Sequence, residues 1–111
     1  MKTLKFATEL VSLVLSEEKT STWRIFDDKG LSLGDELIFI NKATGEKFAK
    51  ARIVSVREKT LRKIDVADFD EGHERFESPE KMLDSYRSYY GDTVTMDAVV
   101  KLIKFELLEK I

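Results

Sequence analysis

The chain opens with apolar residues at helical spacing and then changes to the alternating pattern of β-strands. Residues 4–6 alternate briefly, which predicts a short edge strand. Thr8 is a residue type that caps helices, and it precedes an apolar stripe with a helical period, Leu10, Val11 and Val14. We therefore predict a helix from Thr8 to about Ser16, buried over much of its surface.

From Thr20 the period becomes two, with Thr20, Thr22 and Arg24 on one face and Ser21, Trp23 and Ile25 on the other. Residues 37–40 are uniformly apolar, and alternation resumes over residues 48–56. Between them, residues 41–46 predict a hairpin loop in which Gly45 takes the positive φ. Short strands joined by short turns are typical of a small β-barrel.

The second half of the chain contains one strong helix signal. Ser78 and Pro79 combine a favoured N-cap with a proline at the first helical position, and Gly91 marks the end. An apolar and aromatic stripe lies between them: Met82, Leu83, Tyr86, Tyr89 and Tyr90. At this spacing, tyrosines are more often core than base-stacking residues. A closing strand is expected over residues 98–107, with Val99, Ile103, Phe105 and Leu107 on one face.

Length and composition limit the number of domains and the classes of protein to which the chain can belong. A chain of 111 residues with 42% hydrophobic and 36% charged positions is expected to form one domain over residues 1–111. The absence of cysteine excludes disulfides, thiolate metal sites and cysteine nucleophiles. No stretch has the length of a signal peptide or of a membrane span, so we expect a cytoplasmic protein without membrane association.

The net charge of −2 argues against a general duplex-binding protein, but the charges are segregated. Residues 42–63 hold eight basic side chains and two acids, whereas residues 64–80 hold seven acids and one arginine. The simpler interpretation is a solvated surface with salt bridges between the two segments. The functional interpretation is a basic patch that attracts phosphate.

Candidate chemistry is concentrated in residues 19–24, where a lysine, two threonines, a serine and an arginine meet at a helix-to-strand junction. The single histidine, His73, lies among acids in the irregular region 63–77, which is weak support for a metal site, and we predict none. No serine has a nucleophile-elbow pattern, and no glycine loop could hold a phosphate.

Residues 19–24, Lys-Thr-Ser-Thr-Trp-Arg, resemble the lysine-threonine-x-threonine-x-arginine signature of the ASCH domain. Residues 33–37 resemble that family's glycine-aspartate turn, and residues 72–78 with a helix ending at Gly91 resemble its second half. The final apolar strand completes the match in order and spacing. One departure is Glu17, because a glycine commonly stands two residues before the lysine.

The resemblance implies an α+β, PUA-like fold, a small and mostly antiparallel β-barrel with flanking helices, and a cleft for RNA or a nucleoside. Small bacterial members hydrolyse the acetyl amide of N(4)-acetylcytidine with a lysine, a threonine and a glutamate, which by motif are Lys19, Thr22 and Glu74. In that scheme a lysine with a lowered pKa activates the threonine hydroxyl. The glutamate holds the lysine or carries a proton to the leaving amine.

Arg24 would steady an oxyanion or a phosphate, and Thr20, Trp23 and Tyr89 complete the candidate ligand-binding set. Two functions from different classes follow. The chain binds RNA or a modified nucleoside or nucleotide, or it is an amidohydrolase on N(4)-acetylcytidine or a related amide; metal-free RNA cleavage is a weaker third. No cofactor is expected. Each candidate also has a structural explanation, such as a helix-end lysine or an Arg24–Glu74 ion pair.

Overall fold

A computed structural model describes residues 1–26, 29–69 and 76–111 of the protein. These ranges contain five strands and three helices, in chain order β1 (Lys2–Phe6), α1 (Thr8–Leu15), β2 (Ser21–Ile25), β3 (Glu36–Asn41), β4 (Lys47–Thr60), α2 (Val66–Phe69), α3 (Pro79–Tyr90) and β5 (Val99–Lys110). A single 3₁₀ turn, Leu61–Lys63, joins β4 to the segment that contains α2.

The five strands form one mixed sheet in the order β1-β3-β4-β5-β2, which curls into a half-barrel. All pairings are antiparallel except that of β1 with β3. Register shifts in β4, between Lys50 and Ala51 and between Ile53 and Ser55, mark bulges in its pairing with β5. Bulges bend a long strand and raise its twist, which suits a strand that spans a curled sheet. The predicted α+β class, with a mostly antiparallel, barrel-like sheet and flanking helices, is confirmed.

Two apolar clusters fill the molecule. The barrel core lies inside the curl of the sheet and includes Phe6, Phe39 and Phe105, whose rings contact one another edge to face. The helix core lies between α3 and the sheet, and it includes Trp23 and Tyr86. Helix α1 closes the barrel core through Val14, which is fully buried.

The local signals of the sequence correspond to the observed boundaries. Ser78 accepts a hydrogen bond from the backbone of Lys81, and Gly91 ends α3 with φ 94°. The loop between β3 and β4 has Gly45 at φ 75°, as its sequence predicts. Helix α1 begins at Thr8 itself: its N-cap is Ala7, with no side-chain capping bond.

Strand β5 differs from its prediction. Val99 is 52% exposed, whereas Val100 and Leu102 are buried in the helix core and Ile103 and Phe105 in the barrel core. A simple two-residue alternation fails here because β5 is covered on both faces, by α3 on one side and by the barrel interior on the other. In the part of the chain that the structure describes, no helix is long and apolar enough to cross a membrane.

Candidate ligand-binding cavity

A cavity of about 540 Å³ opens where β1, the start of α1, β2 and α3 meet. Its walls bring together most of the residues singled out from the sequence: Lys19, Thr22, Trp23, Arg24 and Tyr89. Its volume lies in the range of small-molecule sites in proteins, roughly 300–1,000 Å³. The site candidates therefore share one concave surface.

Lys19 enters the cavity because of the turn that ends α1. Ser16 caps the helix, Glu17 adopts φ 64°, and the backbone N–H of Lys19 donates to the carbonyl of Leu13 at 3.0 Å. A left-handed residue directly after a helix reverses the chain, and glycine is the usual choice there. Glu17, which stands where relatives of the resembled family carry glycine, adopts the conformation that glycine favours. The turn leaves the Lys19 side chain 3% exposed at the cavity floor.

Thr22 follows Lys19 by three residues and lines the same cavity. It pairs across the sheet with Ile103 and is 4% exposed. Its Oγ1 accepts a hydrogen bond from Nε of Arg24 at 3.1 Å. A hydroxyl that accepts from a guanidinium keeps its own proton available for donation, and the neighbouring positive charge favours its deprotonated form.

Arg24 also joins the two edges of the half-barrel. Its Nη2 donates to the carbonyl of Lys5 at 3.1 Å, and its guanidinium carbon lies 5.1 Å from the ring centroid of Phe6. Lys29 Nζ donates to the carbonyl of Thr3. Because β1 and β2 are the first and last strands of the sheet, these side chains bridge the gap between its two edges. The cavity opens beside this bridged seam, so Arg24 has a structural role in addition to its contact with Thr22.

Aromatic side chains surround the cavity. Trp23 is 4% exposed and packs on Phe69, with ring centroids 5.0 Å apart. Tyr89, predicted by its spacing to be core, is instead 58% exposed at the mouth. Phe26 has φ 55° and an exposed ring 6.0 Å from that of Tyr90, at 89°. Aromatic faces that combine apolar area with exposure are suited to stacking on a planar ligand.

One residue of the predicted site, Thr20, is not among the described cavity walls, and two further residues named from the sequence lie outside the described ranges. The side chain of Thr20 does not line the cavity, and its backbone carbonyl accepts from the N–H of Phe105 at 3.0 Å. Glu74 lies outside the described residues, as does His73. The contact between Glu74 and the Lys19–Thr22 pair stays a prediction. Within the described ranges, no cluster of three or more acidic or histidine side chains is placed to hold a metal ion.

The charged segments form salt bridges, as the simpler interpretation predicted. Asp68 is 2% exposed and accepts hydrogen bonds from Lys59 at 2.8 and 3.0 Å and from Arg57 at 3.2 Å. The backbone N–H of Asp65 donates to the same carboxylate at 3.0 Å. Burial alone would raise the pKa of Asp68, but the hydrogen bonds and the charge of Lys59 outweigh it and lower that pKa.

Three of the other basic residues in this segment are also paired. Lys50, Arg52 and Arg62 each lie within 4 Å of a carboxylate, on Glu36, Glu106 and Asp97 respectively. Of the basic residues in the segment 42–63, Lys42 alone is among the described cavity walls. The segment is therefore mainly a salt-bridged surface, and one lysine at its start belongs to the candidate site.

Sequence reasoning did not identify Lys5, Phe26 and Tyr90 as cavity residues. The period-two pattern places Lys5 on the outward face of an edge strand. It does not indicate that β1 and β2 approach each other. Phe26 follows the last residue of β2 and could have been recognised as an apolar residue beyond the end of its strand. The approach of the two sheet edges depends on the global curl, which no local pattern encodes.

Comparisons with known proteins identify the fold. No protein-family model matches the sequence, and no curated protein is significantly similar to it. Solved structures do match. A protein of Enterococcus faecalis carrying the family model DUF984 aligns with TM-score 0.75 and 18% identity, over 93% of this chain and 72% of that one.

Two further structures also align over most of this chain. The ASCH domain of a Lactobacillus crispatus protein aligns with TM-score 0.69 and 16% identity, over 89% of this chain and 70% of that one. A Pyrococcus furiosus protein aligns with TM-score 0.67 and 24% identity, over 97% of both chains. The similarity lies in the backbone arrangement rather than in the sequence. This chain therefore has the fold of ASCH-domain proteins.

Proposed function

We propose that the cavity binds a nucleoside, either free or as one unit of RNA. The observation that carries this proposal is the composition of the cavity wall. Lys19 and Thr22 are buried polar groups at its floor, and exposed aromatic rings stand at its mouth. Ligand sites in proteins typically combine apolar and aromatic walls with a few convergent polar groups. A planar, hydrogen-bonding base has both kinds of surface.

Titration of the isotopically labelled protein with cytidine, followed by amide NMR shifts, tests the proposal. We expect shifts at residues 22–24 and at residues 85, 86, 89 and 90, which line the cavity, and none at residues 47–50 at the start of β4. Absence of binding, or shifts confined to β4, would contradict it.

A second function, hydrolysis of N(4)-acetylcytidine, is favoured by the hydrogen bond from Arg24 to Thr22. In this reaction Thr22 Oγ1 attacks the acetyl carbon and its proton passes to a neutral Lys19 amine. The resulting oxyanion is stabilised by the neighbouring guanidinium charge. Collapse breaks the bond to N4, which takes up the proton and leaves as cytidine, and water then releases acetate from Thr22. The resemblance assigns to Glu74 the task of holding Lys19 or carrying the proton.

Incubation with N(4)-acetylcytidine, with cytidine release measured by chromatography, tests the reaction. Thr22→Ala removes the nucleophile, so turnover should fall by about a thousandfold or more, far more than the affinity for cytidine. Thr93→Ala, at an exposed position that does not line the cavity, is the matched control and should keep full turnover. Absence of turnover by the unaltered protein would exclude hydrolysis of this substrate and leave the binding function.

The salt dependence of binding distinguishes RNA from a neutral nucleoside as the ligand. RNA affinity should fall steeply between about 50 and 200 mM salt, because binding releases counterions from phosphates. Binding or turnover of the neutral nucleoside should hardly change over that range.

A further inference from the structure

The described residues around the cavity carry mainly positive charge. Five of them are basic, Lys5, Lys19, Arg24, Lys29 and Lys42, and one is acidic, Glu9. Charges of one sign that line a concave surface with low-dielectric walls focus the electrostatic field and raise the local concentration of counter-ions. This balance favours an anionic ligand over a neutral one.

The five basic residues have different positions. Lys19 is buried at the floor. Arg24 and Lys29 donate to backbone carbonyls of β1, across the seam of the half-barrel. Lys42 directly follows β3 and is exposed at the rim, and so is Lys5 on the adjacent strand. The two rim lysines come from neighbouring strands, since the backbone N–H of Lys42 donates to the carbonyl of Phe6.

Lys42 is held towards the cavity mouth by an aromatic contact. Its Nζ lies 5.7 Å from the ring centroid of Tyr89, on the opposite wall. Among the described residues, no carboxylate lies within ion-pair distance of this ammonium, in contrast to Arg57 and Lys59 of the same basic segment. A cation–π contact positions an ammonium without neutralising it, so the charge stays available to an anion.

We propose that Lys42 binds the phosphate of a nucleotide whose base occupies the cavity. This inference rests on the proposed nucleoside binding and narrows its ligand to the phosphorylated class. Tyr89 positions the ammonium, and Lys5 adds a second positive charge at the rim. A lysine ammonium binds phosphate as a compact charge with three donors. The phosphate belongs either to a free nucleoside monophosphate or to the backbone of single-stranded RNA.

Calorimetric titration with cytidine and with cytidine 5′-monophosphate isolates the phosphate, because the two ligands share base and sugar. At low salt we expect the monophosphate to bind about tenfold more tightly, and this advantage should shrink as salt is added. Lys42→Gln should remove most of the advantage, so that the monophosphate and cytidine bind with nearly equal affinity. Lys47→Gln is the matched control, at an exposed lysine that does not line the cavity, and should leave both affinities unchanged.

The outcomes are distinguishable. If both ligands bind equally well, the phosphate site is wrong and nucleoside binding stands. If neither binds, the proposed function itself fails with this base. Equal losses in Lys42→Gln and Lys47→Gln would show a diffuse charge effect and overturn the assignment. A short oligocytidylate without terminal phosphate tells whether the bound phosphate belongs to RNA or to a free nucleotide. If the oligocytidylate binds and its binding depends on Lys42, the phosphate is that of the RNA backbone. If it does not bind while the monophosphate binds tightly, the ligand is the free nucleotide.

Discussion

Two charged side chains are buried among the described residues, Asp68 and Lys19, and they differ in what surrounds them. The carboxylate of Asp68 is 2% exposed and receives hydrogen bonds from Lys59, Arg57 and the backbone of Asp65. Lys19 is 3% exposed and lines a cavity of about 540 Å³. Burial of charge has a cost that protein hydrogen bonds can offset, as at Asp68. At a cavity, a ligand can supply part of that compensation.

A buried charge can therefore have two different roles. Where protein groups satisfy the charge and no space is left beside it, the group contributes to the stability of the fold. Where it borders a cavity of ligand size, it is a candidate for binding or catalysis. Substitution of one lysine in each place should therefore change different properties of the protein.

The largest expected effect is the loss of function in Lys19→Met. Methionine has a similar length and keeps the packing of the aliphatic stem, so the substitution mainly removes the ammonium. Cytidine affinity should fall at least about tenfold, and any amide hydrolysis should fall about a hundredfold or more. Calorimetry and the chromatographic assay measure these changes. A variant that unfolds but retains its affinity would place Lys19 with the structural charges instead.

The reciprocal substitution, Lys59→Met, should affect stability and spare function. It leaves the buried Asp68 carboxylate with Arg57 and one backbone donor, which we expect to lower the free energy of unfolding by about 2 kcal/mol. Urea denaturation followed by circular dichroism measures this loss, and cytidine titration should give unchanged affinity. The double variant with Lys59→Met and Asp68→Asn should lose less unfolding free energy than the two single variants added together, because both members of the pair are then removed. Additive losses would contradict a direct Lys59–Asp68 interaction.

Low pH should weaken the Asp68 site. The pKa of Asp68 is lowered in the folded protein, so its contribution to stability is present above its unfolded value and is lost as pH falls through the folded value. The pKa of Asp35 is lowered too, chiefly by its hydrogen bond from Lys2, and it contributes with the same sign. Urea midpoints should therefore decrease below about pH 4. Asp68→Asn should reduce this slope without abolishing it; an unchanged slope would show that Asp68 does not titrate with folding.

Local signals in the sequence predicted much of the fold. Helix α3 begins after Ser78, with Pro79 at its first position, and ends at Gly91, as its capping residues predicted. The predicted helix–strand junction at residues 19–24 supplies Lys19 and Thr22 to the candidate site. These features depend on neighbours in the chain. Their physical causes, capping bonds and strand alternation, act over a few residues.

Features set by distant contacts were not predictable in the same way. The exposure of Tyr89 depends on the place where α3 crosses the sheet, and a helical stripe cannot show which of its members overhangs a cavity. The parallel pairing of β1 with β3 and the bridging of β1 by Arg24 follow from the curl of the whole sheet. Val99 shares a face with Ile103 but is exposed, because the buried face of β5 changes along the strand from the helix core to the barrel core. In each case tertiary packing overrides the local pattern.

The smallest expected effect concerns the turn that places Lys19 in the cavity. Glu17 has φ 64°, a conformation that costs a residue with a Cβ about 1 kcal/mol. Glu17→Gly should therefore raise the free energy of unfolding by roughly 0.5–1 kcal/mol, while cytidine affinity stays the same because the backbone path is unchanged. Glu18→Gly, at the next exposed position and without a positive φ, should instead lower it by a similar amount by loosening the unfolded chain. Thermal denaturation of the two variants compares them directly. If both substitutions destabilise the protein, the Glu17 side chain makes a favourable contact that outweighs its backbone strain. The path of Lys19 into the cavity would then depend on that contact rather than on the left-handed turn alone.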